Sequence, residues 1–492
     1  MSGKNISVIG SGFAGIAAAS FLAQAGNRVT IFEKNEQPGG RARVWESDGF
    51  RFDMGPSWYW MPDVFEHYFS RFGRRVSDYY SLKRLDPGYR IFFSKKDVMD
   101  VPASMDEIEK LFDAREPGSA EGLRKFLAQA AYKYKVGMGD YVFRPSHSIT
   151  EFIDLRLIRE SFRIQMLTKM SKHVRQYFKN PELIKLLEFP VLFLGATPQN
   201  TPALYSMMNH ADLTLGTWYP GGGMNEIIKG MVALANELGV RFELNSEVKK
   251  IGVKKARATE IVVNERSLET DFVIAAADYA HVDQHLLEKP YRNYNAPYWD
   301  SRTMSPSCLI FYIGLNKKLS NVQHHNLFFD QDFEKHAYEI YTKAQWPTEP
   351  LFYVSVPSVT DSSVAPEGCE NLFFLMPVAP GLHDDDTLRE RYFDLMIGRF
   401  EQITGNTIRH SIIVKRSYSL NNFVQDYHSF KGNAYGLANT LAQTAFFKPA
   451  MRSKKVENLL FTGQLTVPGP GVPPSLISGE IVARETLRLF HP

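Results

Sequence analysis

A short apolar strand that ends in a glycine-rich turn and a helix places the strongest constraint on how this chain folds. In NISVIGSGFAGIAAASFLAQAGNRVTIFEK, the pattern predicts a strand over 6–9, a helix to about Ala25 and a second strand over 29–32. Strand, helix and strand in this order form a βαβ unit, whose two strands are parallel. The sequence therefore predicts an α/β fold.

The glycines of the turn have the spacing that binds a dinucleotide. Gly10 permits the tight turn, Gly12 lets the backbone approach a pyrophosphate, and Gly15 lets helix and strand pack closely. Glu33 ends the second strand, where an acidic side chain accepts hydrogen bonds from ribose hydroxyls and disfavours a 2′-phosphate. The other residues predicted to line this dinucleotide site are Phe13, Ala14 and Lys34.

The segment QPGGRAR (37–43) indicates which dinucleotide binds, because here the chain resembles the FAD-binding amine-oxidase and carotenoid-desaturase superfamily. By that resemblance Gly39, Gly40 and Arg41 lie along the diphosphate and ribityl chain of non-covalently bound FAD, and a guanidinium is a suitable donor to a diphosphate. No second dinucleotide fingerprint follows later in the sequence. A bound NADPH reductant is therefore not expected.

Two further segments continue the resemblance. GFRFDMGPSWYW (49–60) is similar to the D-x-G-P segment of the family, which implies that Gly55, Pro56 and Ser57 lie at the flavin. The three aromatic residues that follow could line a flavin or an apolar substrate, or belong to the core. After a predicted helix from Asn225, the resemblance implies that the backbone of Val248 contacts the adenine.

The stretch ENLLFTGQLTVPGPGVPPSLISG (457–479) predicts a strand, a stiff glycine and proline loop, and a final helix. Pro473 and Pro474 suit the first turn of that helix, which leaves Val472, Ser475 and Leu476 as the expected free N–H donors. These donors would face the N1/O2 edge of the flavin and stabilise its negative charge on reduction. The flavin-site residues predicted here are Gly463, Gln464, Gly471, Val472, Pro473 and Ser475.

This stretch resembles the C-terminal signature of bacterial phytoene and carotenoid desaturases, and the likeness extends along essentially the whole chain. It implies the removal of two hydrogens from an apolar polyene, with a hydride passing to flavin N5 and a proton lost from the neighbouring carbon. Near the flavin, Gln464, Leu465, Val467 and Pro470 depart from the usual pattern. The substrate and the reaction step therefore remain open.

Several functions are compatible with this resemblance. The first expectation is desaturation of phytoene to neurosporene or lycopene. The alternative is a later 3,4-desaturation of a γ-carotene-like or hydroxylated carotenoid. A cis/trans isomerase, a flavin amine oxidase and a carotenoid-binding protein without activity are further alternatives. The apolar run over 186–208 disfavours an amine oxidase, which needs a polar pocket.

The region over 104–190 is predicted to be mainly helical. Within it, 154–179 carries seven Lys or Arg against two acids and an apolar stripe at spacings of three and four. An apolar stripe of this kind has two interpretations: it rests on an anionic membrane surface, or it faces the protein core. Glu151 and Asp154, at the edge of this segment, are candidates for the base that accepts the substrate proton.

Composition limits the partners and the compartment. Lys plus Arg number 57 against 54 Asp plus Glu, so the net charge of +3 gives no field that would attract nucleic acid. Two cysteines, no signal-peptide pattern and no apolar run long enough to span a bilayer predict a cytoplasmic protein at the inner face of the membrane. Electrons would pass to a quinone or oxygen; the oligomeric state stays open.

Metal chemistry is not expected. No cluster of His and Cys has the spacing of metal ligands, and no bound metal is predicted. His324 and His325 are adjacent, but side chains alternate along a strand, so the two rings are expected to point to opposite faces.

Together these patterns predict an α/β protein with a Rossmann-like FAD-binding domain, a mixed-sheet substrate domain and a helical, membrane-associating insert. The FAD-binding domain is predicted to be assembled from three segments, 1–85, 220–285 and 455–492. Between them lie the helical, substrate-binding and membrane-associating region (86–219) and the substrate-binding domain (286–454).

Overall fold

The computed structural model describes residues 3–146, 165, 168–195 and 197–490. Its first sheet is parallel and five-stranded, in the order β19-β13-β1-β2-β9. The strands are β1 (Asn5–Ile9), β2 (Arg28–Phe32), β9 (Arg241–Glu243), β13 (Phe272–Ala275) and β19 (Leu459–Phe461). Because they come from distant parts of the chain, the sheet joins the beginning, the middle and the end of the sequence. The predicted α/β class and βαβ unit are confirmed.

Two helices cover one region of this sheet. Helix α1 (Phe13–Gln24) follows the glycine turn, and the final helix α14 (Val472–Arg488) packs along it. Gly15 makes the approach of helix to sheet possible, since an added β-carbon would lie 2.0 Å from the carbonyl oxygen of Gly10. Gly479 plays the same part between the helices, where an added β-carbon would lie 2.5 Å from the carbonyl oxygen of Ala14.

The second large sheet has seven strands in the order β18-β14-β17-β16-β15-β6-β7. All neighbours are antiparallel except β15 and β6, so the sheet is mixed, as predicted. One face packs on the long helix α12 (Asp386–Thr404) through a separate apolar core. The strands are β6 (Tyr89–Phe92), β7 (Val98–Val101), β14 (Ser307–Leu315), β15 (His325–Phe328), β16 (Phe352–Ser355), β17 (Glu370–Val378) and β18 (Ile412–Tyr418).

Smaller elements complete the fold. A three-stranded antiparallel sheet and two strand pairs comprise β10 (Val248–Lys254), β11 (Arg257–Val263), β12 (Arg266–Glu269), β3 (Val44–Ser47), β4 (Phe50–Asp53), β5 (Leu82–Arg84) and β8 (Trp218–Pro220). The remaining helices are α2 (Pro62–Ser70), α3 (Met105–Arg115), α4 (Ser119–Val136), α5 (Met170–Val174), α6 (Pro181–Glu188), α7 (Met207–Asn209), α8 (Asn225–Glu237), α9 (Tyr279–His281), α10 (Ala296–Asp300), α11 (Phe333–Tyr338) and α13 (Leu420–Tyr427).

Most of the basic amphipathic segment predicted over 154–179 lies outside the described residues. The part of its apolar stripe that is described, Met170 and Val174, is fully buried in the main core. This end of the stripe therefore faces the protein. Within the described ranges, no helix combines the length and hydropathy that crossing a membrane requires.

Candidate functional site

A cavity of about 460 Å³ opens at the carboxyl ends of the parallel strands. Gly10 follows β1, Glu33 follows β2, Ala276 follows β13 and Thr462 follows β19, and all four residues line the cavity. Ligands of open α/β sheets bind at this edge, and the volume falls in the range of about 300–1,000 Å³ typical of ligand pockets. The parallel sheet thus positions one end of the site.

The structure brings nearly all predicted FAD-site residues to this cavity. Gly15 is the exception. It lies within α1 against the Gly10 carbonyl and the β-carbon of Ala276, so it serves the packing of the helix on the sheet. The predicted residues that line the cavity are Gly10, Gly12, Phe13, Ala14, Glu33, Lys34, Gly39, Gly40, Arg41, Gly55, Pro56, Ser57, Val248, Gly463, Gln464, Gly471, Val472, Pro473 and Ser475.

The carboxylate of Glu33 is held by the chain around it. Its Oε2 accepts hydrogen bonds from the backbone N–H of Ser11 at 2.9 Å and from the Ser11 hydroxyl at 2.7 Å. Its Oε1 accepts from the backbone and side-chain nitrogens of Asn35, both at 3.0 Å. Glu33 is therefore fixed at the tip of β2. Because each carboxylate oxygen has two lone pairs and already accepts two hydrogen bonds, a ribose hydroxyl that binds Glu33 has to displace or share one of these donors.

Arg41 provides the test of whether a diphosphate fits. Its Nη2 donates to the Ser429 hydroxyl at 3.0 Å and to the Asn433 carbonyl at 3.3 Å, whereas its buried Nε has no partner among the described residues. Burial lowers the pKa of Arg41, and Tyr427 and Asp278 act in the opposite direction. A buried guanidinium with an unused donor favours an anionic ligand, because an unpaired buried N–H is costly.

The glycines leave room beside Arg41 for such a ligand. A β-carbon added at Gly12 would meet no described atom within 4 Å, and one at Gly463 would meet only the β-carbon of Ala14, at 3.9 Å. This open space borders backbone at the N-terminus of α1, where N–H groups and the helix dipole favour phosphate. The residues present therefore fit the diphosphate of FAD.

The C-terminal loop ends in the N-terminus of α14, as expected, but its donors differ from the prediction. Gly471 precedes the helix with φ of +113°, a backbone conformation that suits glycine. The N–H of Ser475 bonds to the Gly471 carbonyl at 3.0 Å, so the prediction that it is free is wrong. Leu476 does not line the cavity and is 2% exposed, which leaves Val472 as the donor at this end.

The other half of the cavity is apolar. Trp58 and Trp60 line it, whereas Tyr59 is fully buried and bonds to the hydroxyl of Tyr80 at 3.1 Å. The apolar run over 186–208 contributes Phe189, Leu192 and Met208. Side chains on or next to the seven-stranded sheet and α11 close the rest of this half, among them Leu327, Phe329, Phe333, Ile340, Leu351 and Leu375.

Of the positions that depart from the family pattern, Gln464, Leu465 and Pro470 line the cavity, and the buried Val467 does not. Their side chains thus help to shape the space for a bound ligand. Glu151 and Asp154, the candidate proton acceptors, lie outside the described residues. Their role stays a prediction.

Sequence reasoning missed the polar groups of the apolar half. Tyr353 lines it, and its hydroxyl lies 2.6 Å from Nδ1 of the buried His325. The predicted opposite orientation of His324 and His325 is wrong, because their ring centroids are only 4.4 Å apart. β15 begins at His325, so the alternation of a strand does not extend to His324. The alternating strand pattern of PLFYVSVPS (350–358) was the sequence signal that could have indicated on which face of a strand Tyr353 lies.

His336 is another polar group of this half whose hydrogen-bonding capacity is used. Its Nδ1 accepts from the N–H of Leu351 at 2.8 Å, and its Nε2 donates to the Pro377 carbonyl at 3.2 Å. Burial lowers the pKa of His336 to about 4, so the ring is neutral at physiological pH. The cavity therefore combines a polar half with an apolar half in which the ring of His336 is neutral.

Comparison with known proteins agrees with this geometry. The family model described as flavin containing amine oxidoreductase matches residues 13–487. The chain is 42% identical over 484 residues to a carotenoid 3,4-desaturase of Haloarcula japonica, with 98% of each chain covered. It is 33% identical over 494 residues to a 4,4′-diapophytoene desaturase (4,4′-diaponeurosporene-forming) of Staphylococcus haemolyticus, again with 98% of each covered.

A solved structure has the same fold. An engineered putrescine oxidase superposes with a TM-score of 0.64 at 12% identity, with 99% of each chain covered. At so low an identity the likeness concerns architecture alone.

Proposed function

The chain belongs to the flavin containing amine oxidoreductase family and, within it, to the carotenoid desaturases, and from this premise we propose which reaction it catalyses and where. It is an FAD-dependent oxidoreductase that acts on CH–CH bonds. We propose that the polyene lies in the apolar half of the cavity and FAD in the polar half. Bound FAD supplies the acceptor for a hydride. The chain itself excludes water and holds the substrate.

The observation that carries this proposal is the division of one cavity into two halves. Gly12 and Arg41 offer backbone and guanidinium donors to a diphosphate, and the half beyond Trp58 offers apolar and aromatic side chains. A hydrocarbon gains free energy from such a surface in proportion to the apolar area that it buries. A polyamine would leave its charges unpaired there, which disfavours an amine oxidase.

Two substrate classes remain to be distinguished. The higher identity, 42%, is to a relative that is named a 3,4-desaturase, and the 33% relative is named a diapophytoene desaturase. We therefore place 3,4-desaturation of a coloured carotenoid first among the reactions to test, and desaturation of phytoene second. Both reactions use the same division of the cavity.

The test is a comparison of absorption spectra. FAD-loaded protein is incubated anaerobically with each carotenoid in liposomes and a quinone, and the extracted pigment is measured. A shift of a coloured substrate to longer wavelength supports 3,4-desaturation, and visible bands from colourless phytoene support phytoene desaturation. FAD-free protein is the control. If neither spectrum changes while FAD is bound, the proposed function is wrong.

We also propose that the protein rests on the cytoplasmic face of the membrane, because its substrate is dissolved there. The helical region over 104–190 is the proposed contact, and electrons leave to a quinone or oxygen. Flotation of FAD-loaded protein with vesicles tests the contact, using phosphatidylcholine alone and with an anionic lipid. If all of the protein stays in the bottom fraction of the gradient with both kinds of vesicle, the proposed membrane contact is contradicted.

A further inference from the structure

Two polar residues, Tyr353 and His325, face each other at the apolar half of the cavity, which Tyr353 lines. Tyr353 lies on β16 and His325 on the neighbouring strand β15, where His325 pairs with Ser355 and Tyr353 with Leu327. Paired residues of antiparallel strands share a face, so Tyr353 and His325 lie on the same face of the sheet. That face turns toward the cavity, whereas Phe352 and Val354 on the other face pack on the α12 core.

The contacts of His325 fix its ring. It stacks on Trp58 with ring centroids 4.2 Å apart and an angle of 10° between the planes. The Tyr353 hydroxyl lies 2.6 Å from Nδ1. We assign the hydroxyl as the donor and place the ring hydrogen on Nε2, because a phenol O–H is a stronger acid than a neutral imidazole N–H. Nε2 is buried and has no partner among the described residues. With this assignment, His325 is a neutral imidazole whose accepting nitrogen, Nδ1, faces the hydroxyl of the cavity-lining Tyr353.

Tyr353 also contacts the segment predicted to hold the flavin. Burial raises the pKa of Tyr353, and hydrogen bonds with the Ser355 and Ser57 side chains act in the opposite direction. Ser57 lines both the main cavity and a second one of about 20 Å³, which has room for one water. His324, Ser355 and Asp53 also line that second cavity, so polar groups lie behind the Ser57 and Ser355 side chains that bond to Tyr353.

We propose that Tyr353 and His325 together accept the proton that the carotenoid loses during desaturation. This inference rests on the proposed function. Two C–H bonds on adjacent carbons break: one hydrogen leaves as a hydride, which FAD accepts, and the other leaves as a proton. The electron pair of the second C–H bond becomes the new carbon–carbon π bond. The Tyr353 oxygen takes the proton while its own hydroxyl proton moves to Nδ1 of His325.

The environment suits this role. Burial, with His324 close by, holds the pKa of His325 well below its ordinary value, so the ring is unprotonated and Nδ1 can accept. A weak base suffices, because a carbon next to a conjugated cation loses its proton readily. In an apolar cavity a neutral base also avoids the cost of burying a charge before the substrate binds.

The test uses FAD-loaded protein with the carotenoid in liposomes and a quinone. Tyr353→Phe removes only the hydroxyl, and kcat is expected to fall about tenfold or more with KM unchanged. His325→Asn keeps an acceptor for the hydroxyl but loses basicity, and it is expected to show a similar fall. The double variant should be no slower than the slower single variant, because the two groups act as a unit.

Two readouts separate this role from a structural one. The dissociation constant for FAD and the thermal midpoint are expected to stay near wild-type in both variants. Deuterium at the carbon that loses the proton is expected to give a larger isotope effect on kcat in the variants. Tyr392→Phe is the matched control, since that buried hydroxyl donates to the Pro347 carbonyl at 2.8 Å and does not line the cavity.

The outcomes are distinguishable. If wild-type protein desaturates but Tyr353→Phe keeps its kcat, or if His325→Asn is as active as wild type, the proton-acceptor inference alone is wrong. If wild-type protein with bound FAD desaturates no carotenoid, the proposed function is wrong and this inference fails with it.

Discussion

Replacing Gly479 by Ala is expected to destabilise the protein, because this glycine lies where α14 crosses α1. An added β-carbon would be 2.5 Å from the Ala14 carbonyl oxygen and 2.7 Å from the Ala17 β-carbon. Backbone atoms and a β-carbon cannot rotate away, so the helices must separate by about 1 Å to reach ordinary contact. Overpacking of this kind costs about 1–3 kcal/mol, and the free energy of unfolding is expected to fall by that amount.

Urea unfolding, followed by tryptophan fluorescence, measures this change. Gly398→Ala is the matched control: Gly398 is an exposed residue within α12, and an added β-carbon would meet no described atom within 4 Å. It should stabilise the protein by about 0.5–1 kcal/mol, because alanine is the better helix former. Since Ala14 lines the cavity, Gly479→Ala is also expected to weaken FAD binding. A Gly479→Ala protein as stable as wild type would refute the reasoning.

Three further predictions concern buried charge. Arg41→Met should weaken FAD binding about ten- to hundredfold in a fluorescence titration, because a charge-assisted hydrogen bond contributes about 1.5–3 kcal/mol; an unchanged affinity would exclude Arg41 from the site. Burial raises the pKa of Asp212 to about 7, so its protonated form contributes stability at acid pH that is lost as the pH rises through 7. The melting temperature of the wild type, relative to that of Asp212→Asn, should therefore decrease from pH 5 to pH 8. Parallel plots of melting temperature against pH for the two proteins would contradict this. Asp384 binds Arg389 through both oxygens, at 2.7 and 2.6 Å, in a buried pair. Asp384→Ala should cost about 3–5 kcal/mol in urea unfolding, whereas Glu349→Ala, in an exposed pair with Lys335, should have a much smaller effect; equal losses would oppose the role of burial.

Local patterns predicted much of the FAD-binding half. The spacing of Gly10, Gly12 and Gly15 and the acid at position 33 specify a turn, a helix start and a strand end within one βαβ unit. Such features depend on neighbours in the chain, so sequence alone suffices to identify them. The donors of the final helix were predicted less well, because the N–H of Ser475 finds its partner in Gly471 rather than in a ligand.

The apolar half could not be predicted in the same way. Tyr353 and His325 are 28 residues apart, and only the register of β15 on β16 brings the hydroxyl to within 2.6 Å of the ring. Trp58 comes from the first part of the chain and stacks on the same ring. No local pattern of residues encodes such pairings, because strand register depends on the packing of the whole sheet.

The sequence by itself predicted a dinucleotide site and the βαβ unit, since these follow from residue types at short spacing. The tertiary structure decided that Tyr353 meets His325 at the apolar half of the cavity, and how closely α1 and α14 approach. The physical reason is that composition and periodicity specify what each segment must bury, whereas the geometry of a site depends on contacts between segments that are distant in the chain.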